Sequence, residues 1–103
     1  MKLNVYKNQR EIAKTVEVDA YDIMYGTIED VFDVLDGIED MDDTQAMMKV
    51  VQDNRKKLND LILDIFDGTG LTREDLRHIK VKELVPFFMD LFEYVKDSFQ
   101  SKN

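Results

Sequence analysis

The 103-residue chain has no cysteine and no tryptophan, one proline, four glycines and one histidine. Without cysteine there is no disulfide framework and no thiolate for a metal site. A zinc site built on His78 alone would have to be completed by carboxylates, a poor match to the ligand sets that zinc takes. An exposed histidine beside Arg77 is the plainer reading. Serine occurs only at Ser98 and Ser101, so no Ser/His/Asp triad can be assembled. No stretch is long and apolar enough for a signal peptide or a membrane span, and a cytoplasmic place of action is expected. No linker or repeat divides the chain, so residues 1–103 read as one domain. At 44% hydrophobic residues it should fold rather than stay disordered.

A second absence is local. Between Glu17 and Asp43 there is no lysine or arginine, against eleven carboxylates. The whole chain carries −8, so the rest of it is net positive. Such a block stays solvated, repels nucleic-acid phosphates and attracts basic partners. It points to protein–protein work. Asp40-Met-Asp42 starts like a calcium loop, but Gln45 stands where the loop needs glycine. Gly68-Thr-Gly70 follows a helix rather than a strand and reads as a helix stop, not a dinucleotide fingerprint. Arg73, Arg77, Lys80 and Lys82 read as charge balance rather than a nucleic-acid patch. Neither a catalytic residue nor a metal or cofactor is expected.

Periodicity gives an α+β, mainly α, fold: an N-terminal β-hairpin followed by a small bundle of about four helices. Leu3 and Val5, then Ile12, Lys14, Val16 and Val18, recur at a period of two around the polar stretch Lys7–Glu11, predicting a hairpin over 1–19. A lone hairpin is marginal in water and needs helices to lie on. Thr27 is a plausible cap for a helix over 27–39, with Ile28, Val31, Phe32, Leu35 and Ile38 on one face. Met47, Val51, Leu58, Leu61 and Ile65 form a narrow stripe on a helix over 44–66, with Asn54 in the skipped site. Thr72 to Asp75 suggests a capping box for a short helix over 72–79. The last helix, 82–100, should hold Pro86 in its first turn. Its apolar residues cover roughly 220° of the circumference, where a surface helix needs about 100°. Such a helix is either central and nearly enclosed or keeps part of its face for another molecule. The expected core is Phe32, Leu35, Val51, Leu58, Leu61, Ile65, Leu84, Phe88, Leu91 and Val95.

Two stretches carry a resemblance. Tyr21-Asp-Ile-Met-Tyr-Gly-Thr-Ile-Glu-Asp30 is one. Gly70-Leu-Thr-Arg-Glu-Asp-Leu-Arg-His-Ile-Lys-Val-Lys-Glu-Leu-Val-Pro-Phe-Phe-Met-Asp-Leu-Phe-Glu-Tyr94 is the other. Both resemble the tail assembly chaperones of long-tailed phages and prophages of Gram-positive bacteria, and the order of elements fits that family. One departure is Phe66-Asp-Gly-Thr-Gly-Leu-Thr72, where family members often have the shorter Phe-Pro-Gly-Leu-Thr. The resemblance implies a protein of the bacterial host cytoplasm, absent from the mature virion. It implies binding to the tape measure protein, which is kept soluble while the tail tube polymerises around it. It also implies a longer, frameshifted form that reaches tail tube protein. No nucleic acid or membrane partner is expected, and self-association through the hairpin edge or the last helix is open.

A holdase for helical segments needs an apolar groove. The candidate partner-binding residues are Phe87, Phe88, Met89, Phe92 and Tyr94 on the last helix, with Tyr21, Met24 and Tyr25 before the acidic helix. Two other readings compete: an acidic nucleic-acid mimic that inhibits a basic protein, and a minor structural protein of the tail.

Overall fold

A computed structural model describes residues 1–35 and 44–100. An antiparallel hairpin of β1 (Lys2–Tyr6) and β2 (Ile12–Glu17) is followed by four helices: α1 (Tyr25–Leu35), α2 (Thr44–Asp53), α3 (Arg55–Ile65) and α4 (Val81–Gln100). The fold is α+β and mainly helical. The expected helical residues 36–39, the calcium-like start at Asp40 and Ser101–Asn103 lie outside the described residues, as do the side chains of Met47 and Phe99.

The hairpin turn has no glycine, and the Asn8 side chain holds it by hydrogen bonds. Its side-chain oxygen accepts from the backbone N–H of Arg10 (2.8 Å) and of Glu11 (3.0 Å), while the Lys7 N–H donates to the Glu11 carbonyl (2.8 Å). Leu3 faces Val16 and Val5 faces Lys14, but Tyr6 then pairs with Ile12, leaving Ala13 as an extra residue. This bulge interrupts the period-two pattern, so Leu3, Val5 and Val16 are buried while Ile12 is 51% exposed.

Helix α1 begins two residues before the expected position. The Met24 carbonyl accepts from the N–H of Thr27 (3.0 Å) and of Ile28 (3.1 Å), so Thr27 lies within the first turn, buried, rather than capping it. The stripe that reaches the core is Ile28, Val31 and Val34. Phe32 and Leu35, expected at full depth, are half-buried at its edge.

The single helix expected over 44–66 is two. Asn54 adopts φ −116° and ψ 24°, off helical geometry. Its backbone N–H and its side-chain amide both donate to the Val50 carbonyl at 3.0 Å. A side chain competing for the ladder in this way bends a helix. Beyond the bend α3 buries Leu58, Leu61, Ile62 and Ile65, whereas Val51 on α2 is only half-buried.

Helix α3 ends at Phe66, whose carbonyl accepts from the backbone N–H (3.1 Å) and hydroxyl (2.6 Å) of Thr69. Gly68 (φ 86°) and Gly70 (φ 91°) take the left-handed conformations of this longer turn. The capping box forms: the Thr72 N–H donates to the Asp75 carboxylate (2.9 Å) and the Asp75 N–H to the Thr72 hydroxyl (3.2 Å). The segment it opens, Glu74–His78, is a 3-10 turn rather than an α-helix.

Helix α4 starts at Val81, so Pro86 falls in its second turn instead of its first. It lies against β1, α1 and α2 and supplies the centre of the core. Phe66, Phe87, Phe88 and Phe92 form a continuous chain of rings, with successive centroids 5.8, 5.6 and 6.0 Å apart. Leu91 and Val95 are fully buried, and Leu84 is half-buried. Of the two readings open for this wide apolar helix, the described side chains fit the enclosed one.

Polar contacts pin the hairpin to residues 70–83. Glu83 accepts from the Tyr6 hydroxyl and from the Asn4 amide (3.0 Å), and the Thr15 hydroxyl donates to the Asn4 side-chain oxygen (2.7 Å). The Lys80 ammonium lies 4.2 Å from the Tyr6 ring centroid and donates to the Gln9 carbonyl (2.7 Å). Lys14 bridges Asp75 (2.7 Å) and the Gly70 carbonyl (3.0 Å).

Candidate functional site

Burial divides the eight candidate binding residues. Phe87 (6% exposed), Phe88 (1%) and Phe92 (0%) are core side chains, so in the folded chain they offer no surface to a partner. These three rings, candidate partner-binding residues on the sequence, are packed by α4 into the core of its own chain. Met89 and Tyr94 are half-buried and packed on the core. Tyr21, Met24 and Tyr25 are 83%, 75% and 66% exposed, and they make up three of the five large hydrophobic side chains exposed among the described residues.

Local chemistry explains why these three stand out. Asp19 caps a single 3-10 turn, Ala20–Asp22, by accepting from the Tyr21 N–H (3.0 Å). The chain then extends through Ile23 before α1 starts. Ile23 turns inward to the core, and Tyr21, Met24 and Tyr25 stay outside. The Tyr21 ring meets Tyr94 edge to face, which ties the segment to α4.

Beside this rim lies a groove of about 500 Å³ between residues 17–27 and the C-terminal end of α3. Glu17, Asp19, Asp22, Asp64 and Asp67 line it, and among the described residues no lysine or arginine does. Val18, Ile23, Met24 and Ile65 supply its apolar lining. Glu17, Asp19 and Asp22 belong to the acidic block that the sequence displays. Asp64 and Asp67 had no signal in the sequence, because they reach the groove only through the packing of α3 against α1.

The remaining charged groups do not converge. Arg73 pairs with Asp60 (2.7 Å), Lys80 stacks on Tyr6, and His78 is an exposed neighbour of Glu74 (3.5 Å). Among the described residues no group of three or more histidine, aspartate or glutamate side chains is placed to hold a metal ion, and no helix is long and apolar enough to cross a membrane.

No family model, curated protein or solved structure matches the chain.

Proposed function

We propose that this chain is a non-enzymatic assembly chaperone of the phage-tail type, one that binds the tape measure protein and keeps it soluble while the tail tube forms around it. The observation that carries the reading is the position of the exposed apolar trio. Tyr21, Met24 and Tyr25 lie inside the first stretch that resembles those chaperones; Met24 lines the acidic groove, and Tyr21 and Tyr25 are chain neighbours of residues that do. A holdase needs accessible apolar surface to engage its client and net charge to keep the loaded complex in solution. The trio and its carboxylates supply both. With no nucleotide motif in the sequence, release would follow from competition as the tube polymerises.

Co-expression tests the proposal. The tape measure protein of the same phage should move into the soluble fraction and co-purify with this chain, and mass spectrometry of purified virions should not find the chain. Equal insolubility of the tape measure with and without the chain overturns the reading. A stoichiometric presence in virions would instead favour a minor tail component. The nucleic-acid-mimic alternative rests on the acidic segment and predicts tight, salt-sensitive capture of a DNA-binding protein with no need for the apolar trio.

A further inference from the structure

We infer that the groove between residues 17–27 and the end of α3 docks a cationic amphipathic helix, with Met24 and Tyr25 receiving its apolar face and Asp22, Asp64 and Asp67 its lysines or arginines. This deepens the chaperone reading by naming the surface and the chemistry of the client segment, and it rests on that reading only for the client's identity. Large side chains exposed at 75% and 66% are a cost in water unless something covers them, and here Met24 lines a concave surface, with Tyr25 next to it in the chain. The groove, at about 500 Å³, admits a few side chains rather than a whole helix, so the occupant lies across it and inserts its anchors. The lining selects their charge. Five carboxylates without a lysine or arginine among them repel an acidic segment and are relieved by a basic one. The apolar lining excludes a purely polar basic tail as the best ligand. A second copy of this chain is a weaker match. Its exposed run of bases, Arg55, Lys56 and Lys57, comes with no large exposed apolar side chain beside it among the described residues.

The experiment uses the full chain and three synthetic 18-residue peptides. One is a helix with leucines on one face and lysines on the other. The second keeps the leucines and has glutamate for lysine. The third has the composition of the first, scrambled to remove amphipathicity. Titration calorimetry and amide chemical-shift mapping read the binding. The first peptide should bind at least tenfold more tightly than the other two, with shifts centred on residues 17–27 and 64–67. The combined Asp22→Asn, Asp64→Asn and Asp67→Asn variant should lose at least tenfold, as should Met24→Ser with Tyr25→Ser. Each altered side chain is exposed, and circular dichroism verifies that the fold is kept. Equal binding of the lysine peptide to wild type and to the aspartate variant overturns the inference, and so does a shift map centred elsewhere. Concentration-dependent self-association that occupies the groove and excludes the peptide overturns it in favour of a second copy. If the peptide binds as described while the tape measure stays insoluble, the chaperone proposal fails and the groove assignment stands.

Discussion

Tyr21 and Tyr94 meet edge to face, ring centroids 6.3 Å apart at 87°, although Tyr21 is 83% exposed. The contact links the rim of the acidic groove to α4 through one pair of rings. Such pairs contribute about 0.5–1.5 kcal/mol beyond their burial. A double-mutant cycle with Tyr21→Ala and Tyr94→Ala, read by urea unfolding, should return a coupling of about that size. Tyr94→Ala should be the more destabilising single change, because Tyr94 packs on the core and Tyr21 does not. A coupling near zero would show that the rings are neighbours without being partners.

Phe88 stacks on Phe92 and is 1% exposed, at the centre of the ring chain. Phe88→Ala should cost about 3–5 kcal/mol, a large share of the roughly 5–15 kcal/mol that stabilises a small domain. The urea midpoint should fall steeply with little change in slope. Substitutions on α4 therefore report on folding. Met24 and Tyr25, exposed and outside the core, are the positions where loss of partner binding can be read with the fold intact.

The Tyr6–Glu83 contact makes an alkaline prediction. The hydrogen bond to the Glu83 carboxylate raises the Tyr6 phenol above its ordinary 10.0, with desolvation and the Glu83 charge adding to it. The folded state therefore holds this proton more tightly than the unfolded chain. The stabilisation is complete below pH 10 and is lost as pH rises through the raised value. Urea midpoints measured from pH 9 to about 11.5 should fall more steeply for the wild type than for Tyr6→Phe. An identical alkaline limb in both proteins would exclude the hydrogen bond as its source.

At the acid end, Lys14 and Asp75 act with the opposite sign. The salt bridge from Lys14, helped by the Thr72 N–H, holds the Asp75 carboxyl below its ordinary 3.8. Its contribution is present above pH 3.8 and is lost as pH falls through the lowered value. Lys14→Met should flatten the fall in stability below pH 4 while changing stability modestly at pH 7, because the pair is partly exposed. An acid limb unchanged by Lys14→Met would assign it to other carboxylates.

Local chemistry made much of the fold legible. The alternation of Leu3, Val5 and Val16 announces the hairpin, and the expected core positions Leu58, Leu61, Ile65, Phe88, Leu91 and Val95 are buried as their spacing requires. The Thr72–Asp75 capping box also forms, since it needs only neighbours three residues apart. The misplacements have local causes that compete with periodicity. Asn54 diverts its side chain to the Val50 carbonyl and bends one helix into two, and the bulge at Ala13 leaves Ile12 outside.

The candidate site was only half legible. Tyr21, Met24 and Tyr25 could be named from their place before the acidic helix, but nothing in the sequence fixed whether they or the phenylalanines of α4 faced water. The hairpin and its place ahead of the helices, the acidic character of residues 17–43 and the absence of thiolate chemistry were determined by the amino-acid sequence, because each depends on residue type and on contacts within a few positions. Which apolar side chains were left over after packing, and that Asp64 and Asp67 stand across a groove from Asp19 and Asp22, were decided by the tertiary structure. Burial and the convergence of charges are properties of segments some forty residues apart in the chain, and their proximity exists only once α3 and α1 have packed.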